Sequence, residues 1–181
     1  VRADVDKIIV NNNKAKGVRM TDGNHFYSDT IISGTGVFNT FENLLPSDVI
    51  YRHKLNEKLK KVNPSVGYGC LYIGLKGSPE SLKLPKNNLW IYPEGVDHDQ
   101  AVADYLEDQD RPFPVVYISF PAAKDPSWNA RYPDRSTIDI ITLLPYETFA
   151  QWEGTQWMHR GSEYEELKEK VAKRLLIHLF E

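Results

Sequence analysis

The chain has 181 residues, 41% of them hydrophobic and 26% charged, the balance of an ordinary globular protein with enough material for a substantial core. Its formal net charge of −3 offers no basic face to a nucleic acid. A single cysteine, Cys70, excludes an internal disulfide framework, and no apolar run reaches the ~18 residues a bilayer crossing needs.

Residues 4–36 read as a meander. VDKIIV is a β-rich run and the asparagines after it tolerate the left-handed backbone of a tight turn. GVRMTDG carries a second strand into an Asp-Gly turn, HFYS is a third strand, and DTIISGTG is an apolar strand ending in glycines. A buried strand ending in Gly34-Thr35-Gly36 lets something approach the backbone closely. Either a tight strand-to-helix turn or a nucleotide cofactor at the strand's carboxyl end satisfies that pattern.

PSDVIYRHKLNEKLKKV is expected as one amphipathic helix capped by Ser47, its basic residues forming a solvated face. GYGCLYIGLKG then reads as a buried strand whose glycines leave room for a close neighbour, with Cys70 as a buried thiol. NNLWIYP, PVVYISF and STIDIITLL are further strands, and DHDQAVADYLEDQ is a helix with an acidic first turn. A helix starts at Pro145. The last helix opens on a Ser162/Glu165 capping box and buries Tyr164, Leu167, Val171, Leu175 and Leu179. Irregular interspersion of strands and helices gives an α+β class, with a mixed β-sheet covered by helices and a separate β-meander.

The long connection FPAAKDPSWNARYPDRST is punctuated by prolines and charges. Local ion pairs among Lys124, Asp125, Arg131, Asp134 and Arg135, with Trp128 and Tyr132 pinning its apolar side, make structural anchoring the first reading. A role at a substrate mouth or membrane surface, or a moving lid, are the others.

Reactive constellations are sparse. The chain holds no G-x-G-x-x-G, P-loop, H-E-x-x-H or G-x-S-x-G, and no residue is singled out as catalytic. The Asp-His-Asp at 97–99 suits a helix start better than a metal, because adjacent helical residues do not face one point. What remains is aromatic: Tyr68, Tyr72, Trp90, Tyr92 and Tyr117 lie on or beside strands and are candidates to line an apolar pocket. Walls without a reactive group suggest that the chemistry belongs to a cofactor.

Two stretches carry a resemblance. VDKIIVNNNKAKGVRMTDGNHFYSDTIISGTGVFNTFENLLP resembles the part of flavin-dependent retinol saturases, relatives of phytoene desaturase and carotenoid isomerase, that re-enters the FAD domain. FPAAKDPSWNARYPDRST, followed by PYETFAQW and RGSEYEELKEKV, resembles the saturases in particular. That resemblance implies a partial FAD-binding domain at 1–40 and a truncated substrate-binding domain at 41–181. It sets the backbone at Val5 against the FAD adenine and the Ser33, Gly34, Thr35, Gly36 turn close to the cofactor, although saturases usually carry Ser-Asn-Ala there. It further implies reduction of a carbon–carbon double bond in a retinoid- or carotenoid-type polyene. A desaturase or cis–trans isomerase, or a non-catalytic apolar-ligand module, are the alternatives.

The chain opens without methionine inside a strand and stops on an apolar helix, so it is expected to be an internal piece of a longer parent, inactive and without FAD by itself. Its expected partners are the polyene and the remainder of the parent, with no nucleic acid. A cytoplasmic or peripherally membrane-associated location follows.

Overall fold

The computed structural model describes residues 3–63 and 65–180. The chain divides into two compact units, with the boundary between residues 64 and 65.

The first unit is built on a three-stranded antiparallel meander, β1 (Val5–Asn11), β2 (Lys14–Met20) and β3 (His25–Tyr27), in spatial order β1-β2-β3. Asn12 and Asn13 close the first hairpin with φ of 50° and 61°, the left-handed pair that matches the twist of two-residue hairpins. The second turn is Asp22-Gly23, with Gly23 at φ 87° and the Asp22 carboxylate accepting the Asn24 amide at 2.9 Å. Gly17 is needed where β2 meets β3, since a Cβ there would lie 2.2 Å from the Phe26 carbonyl oxygen.

Three expectations fail in this unit. Residues 29–33 form no strand; they run largely exposed, with Ile31 half-buried and Ile32 91% accessible, because among the described residues no neighbouring strand supplies a ladder. The helix expected over 46–62 is two short ones, α1 (Ser47–Arg52) and α2 (Leu55–Leu59), broken at Lys54 with φ 50°. Ile50 and Leu59 explain the break. Nine residues apart, they would point to opposite sides of a continuous helix, yet both are buried. Pro46, not Ser47, occupies the cap position.

The second unit holds a four-stranded sheet of β4 (Tyr68–Lys76), β5 (Leu89–Ile91), β6 (Val116–Ser119) and β7 (Arg135–Leu143), in spatial order β4-β7-β6-β5. All its pairings are antiparallel, so the expected mixed sheet is corrected while the α+β class stands. The irregular interspersion of strands and helices misled, because an intervening segment makes a parallel crossover only if it crosses the sheet. The segment joining β6 to β7 instead stays at one end, as two helical turns, α4 (Pro121–Lys124) and α5 (Trp128–Arg131).

One face of this sheet is sealed. Val116, Ile118, Ile138 and Ile140 pack with Phe113 and Phe120, under Tyr105 of α3 (His98–Glu107) and Leu175 of α6 (Ser162–Ile177). Asp97 caps α3 by accepting the amides of Asp99 and Gln100 at 3.0 and 3.2 Å, so this carboxylate serves the helix start. Arg174 of α6 stacks 4.3 Å over the Phe113 ring and donates to the Gln109 carbonyl at 2.6 Å, tying the helix to the α3–β6 connection. The expected capping box of α6 is not formed: Gly161 takes the cap position at φ 87°, and Ser162 is the first helical residue. The segment after Pro145 is 3₁₀-helical over Tyr146–Trp152.

The 121–135 connection is anchored. The Trp128 indole donates to the Arg135 carbonyl at 2.8 Å, and Arg131 pairs with Asp125 while lying 5.9 and 5.3 Å from the Trp128 and Tyr132 rings. Asp125 accepts from the Ser127 hydroxyl and amide at 2.7 and 2.8 Å, and these bonds, ahead of Arg131, hold its carboxyl below the usual range. Lys124 takes no part in the ion pairing and reaches back to the sheet instead.

Candidate ligand-binding face

Alternation gives every strand of the four-stranded sheet a second set of side chains, and in this chain that set is open. Along β4, Leu71, Ile73 and Leu75 turn toward the core while Tyr68, Cys70, Tyr72 and Gly74 turn away. Cys70 is therefore exposed, not buried as its apolar neighbours suggest.

Register sets what stands beside what. Trp90 pairs with Tyr117, Tyr117 with Ile141 and Ile141 with Cys70, one apolar row crossing all four strands. The Trp90 and Tyr117 rings meet edge to face at 4.7 Å. Tyr68, Trp90, Val115, Tyr117 and Ile141 line a groove of about 340 Å³, with Asn88 also at its wall. Displaced by two residues along the strands runs a second row, Ser119, Asp139 and Tyr72. The Tyr72 phenol is pushed above its ordinary value, first by Cys70 beside it, then by partial loss of water and by Asp139.

Four of the five aromatic candidates, Tyr68, Tyr72, Trp90 and Tyr117, thus share the open face. Tyr92 does not join them: it lies past the end of β5, edge-on to His98 at 5.4 Å, and lines a separate cleft with Phe113 and His178. Ser119, Asp139 and Ile141 went unremarked in the sequence, although alternation in STIDIITLL already placed Asp139 and Ile141 on one side. A larger hollow of about 460 Å³, between β4 and α6, is lined by Leu71, Leu144, Phe149 and Val171, and so lies on the helix-covered side.

The cofactor candidates lie in the first unit. Val5 opens β1, an edge strand of its sheet. Ser33 to Gly36 form an exposed turn knotted by hydroxyls: Ser33 and Thr40 meet at 2.7 Å, Ser33 and Thr35 at 3.2 Å, and the Thr40 hydroxyl donates to the Gly36 carbonyl at 2.7 Å. A Cβ added at Gly34 or Gly36 would meet nothing within 4 Å, and Gly36 has φ 86°. The turn is thus fixed by its side chains while its backbone stays accessible.

Among the described residues no group of three or more His, Cys, Asp or Glu could hold a metal, and no helix is long and apolar enough to cross a membrane.

Fold and face together define an α+β chain whose larger sheet is sealed by helices on one side and presents an open aromatic groove on the other. Its homologues are all-trans-retinol 13,14-reductases, with carotenoid isomerases more distant. The chain is 34% identical over 180 residues to the all-trans-retinol 13,14-reductase of Homo sapiens, covering 95% of this chain and 29% of that protein. Against the Danio rerio protein of the same name it is 34% identical over 184 residues, covering 97% of the chain and 30% of the relative. Prolycopene isomerase of Arabidopsis thaliana is 29% identical over 98% of the chain and 26% of its own length. The chain thus spans under a third of the curated relatives it matches. No protein-family model matches it.

Proposed function

We propose that this chain is part of an FAD-dependent oxidoreductase that reduces a carbon–carbon double bond of a retinoid- or carotenoid-type polyene. The observation that carries the reading is the open aromatic face of the four-stranded sheet, in a chain whose homologues are named for retinol and prolycopene. Trp90, Tyr117 and Tyr68 would lie along the polyene, orient it by ring contact and keep water from it.

The first unit fits an extended polar cofactor. The Ser33–Gly36 turn presents bare backbone at two glycines, held in place by three hydroxyls, and Val5 lies on an edge strand. FAD, when bound, supplies the redox chemistry, a hydride for the double bond. The residues of this chain supply positioning: the turn at Ser33 to Gly36 approaches the cofactor by backbone, and the open face holds the substrate. Residues 41–63 pack with the meander, and their assignment to the substrate domain is part of this proposal.

The test uses the longer protein that carries this chain. Purified gently, it is expected to show a flavin absorption spectrum and, once reduced, to consume the polyene absorbance of all-trans-retinol. Gly36→Val should weaken flavin retention, since a β-branched residue is strained at φ 86° whatever the space around it. A colourless protein with no recoverable flavin would remove the cofactor from the reading. A flavoprotein that rearranges double bonds without saturating them would transfer it to isomerisation, the reaction named for the Arabidopsis relative.

A further inference from the structure

Resting on the reading of the open face as a polyene groove, we infer that the face also selects the polar end of its ligand, with Lys124 and Asp139 forming a donor–acceptor pair for a terminal alcohol.

The argument starts from register. The apolar row Trp90–Tyr117–Ile141–Cys70 crosses four strands, a track of ~14 Å at the usual strand spacing. The row beside it, roughly 7 Å along the strands, is polar: Ser119 pairs with Asp139, and Asp139 with Tyr72. Asn88, on the groove wall just before β5, joins this row through Lys124. Followed along the strands, the groove passes from Tyr68 across the Tyr117–Ile141–Cys70 row and ends on the polar row, an arrangement that suits an amphiphile better than a plain hydrocarbon.

Lys124 comes from α4, in the anchored connection. Its ammonium donates to the Ser119 hydroxyl at 2.8 Å and to the Asn88 side-chain carbonyl. Ser119 is itself 9% accessible, so the long lysine chain is drawn down onto the sheet and held there from two sides. An ammonium has three N–H donors, and these two bonds leave one for a ligand oxygen. The Asp139 carboxylate offers only acceptors.

A hydroxyl meets both demands: its oxygen accepts from Lys124 and its proton goes to Asp139. A carboxylate accepts from Lys124 but is repelled by Asp139. A methyl ether accepts and has nothing to donate. An apolar end offers nothing to the third Lys124 N–H or to Asp139 while removing water from both, the costly case. The expected order of affinity is therefore alcohol first, then ether, acid and hydrocarbon.

The experiment measures tryptophan-fluorescence quenching of the 181-residue chain by all-trans-retinol, its methyl ether and all-trans-retinoic acid. Retinol is expected to bind about tenfold tighter than the other two, the size of one charge-assisted hydrogen bond. Lys124→Met should cost the acid more than retinol, since the acid loses the one cation facing its charge, and should leave retinol ahead of its ether, which still has no proton for Asp139. Asp139→Asn should improve the acid relative to retinol. Trp90→Ala should weaken all three by a common factor. Each readout is a ratio between ligands on one variant, so a partly unfolded sample does not imitate it. Equal affinities for the three ligands, or a ratio that neither Lys124→Met nor Asp139→Asn moves, would overturn the inference and leave the polyene groove standing. Failure of every retinoid to bind would overturn the groove as well.

Discussion

The two faces of the four-stranded sheet are drawn from the same strands and meet opposite surroundings. On one, Ile118 and Ile140 are fully buried and Val116 and Ile138 nearly so, beneath α3 and α6. On the other, Tyr68, Tyr72 and Trp90 are 65%, 73% and 60% accessible. The difference lies in residue type as well as in cover. Branched aliphatics fill the sealed side, where close packing is the whole contribution. Tyrosines, a tryptophan, Ser119 and Asp139 occupy the open side, and their polar ends tolerate water until a partner arrives. One face stabilises the unit, and the other is the face proposed above to bind.

The largest expected effect comes from breaking the sealed side. Ile140→Ala should destabilise the second unit by about 2–5 kcal/mol, the lost burial plus the cavity left behind, as read from urea unfolding followed by circular dichroism. A loss under about 1 kcal/mol would show that this side is not the close-packed one. On the open side, Trp90→Ala should leave stability within about 1 kcal/mol in the same unfolding measurement, because the ring is already largely in water. A loss as large as that of Ile140→Ala would mean that the open aromatics support the fold, and the contrast between faces would fail.

The smallest effect concerns the connection that brings Lys124 to the open face. Asp125 titrates below its ordinary value because of Ser127 and then Arg131. A depressed carboxyl contributes stability above its unfolded value, and that contribution is lost as pH falls through the folded one. Melting curves of the unaltered chain and Asp125→Asn should therefore differ slightly at neutral pH and converge below the ordinary aspartate range. A gap that persists in acid would assign the effect to something other than the charge.

Much of the local structure was legible because local rules produced it. The asparagine and Asp-Gly turns, the Asp97 helix start and the apolar stripe of α6 all depend on residues within a few positions of one another. The errors share a cause in distant packing. GYGCLYIGLKG is apolar on both of its sides, so it reads as buried on both; among the described residues α6 docks on the Leu71 side and nothing covers the Tyr68 side, which exposes Cys70. DTIISGTG has the composition of a strand and, among the described residues, no neighbour to pair with. The break at Lys54 followed from burying Ile50 and Leu59 together, which no helical period can show.

The candidate site divides in the same way. The aromatic residues and their alternation were present in the sequence, and so was the likeness of the chain to the retinol saturases. Which aromatics share a groove, that Tyr92 stands apart, and that Lys124 is held over Ser119 depended on antiparallel register between strands far apart in the chain. Sequence by itself determined the turns, the strand periods and the composition of each face, because these are set within a few residues. Only the tertiary structure decided which face faces water, because that depends on where distant helices find apolar surface to cover.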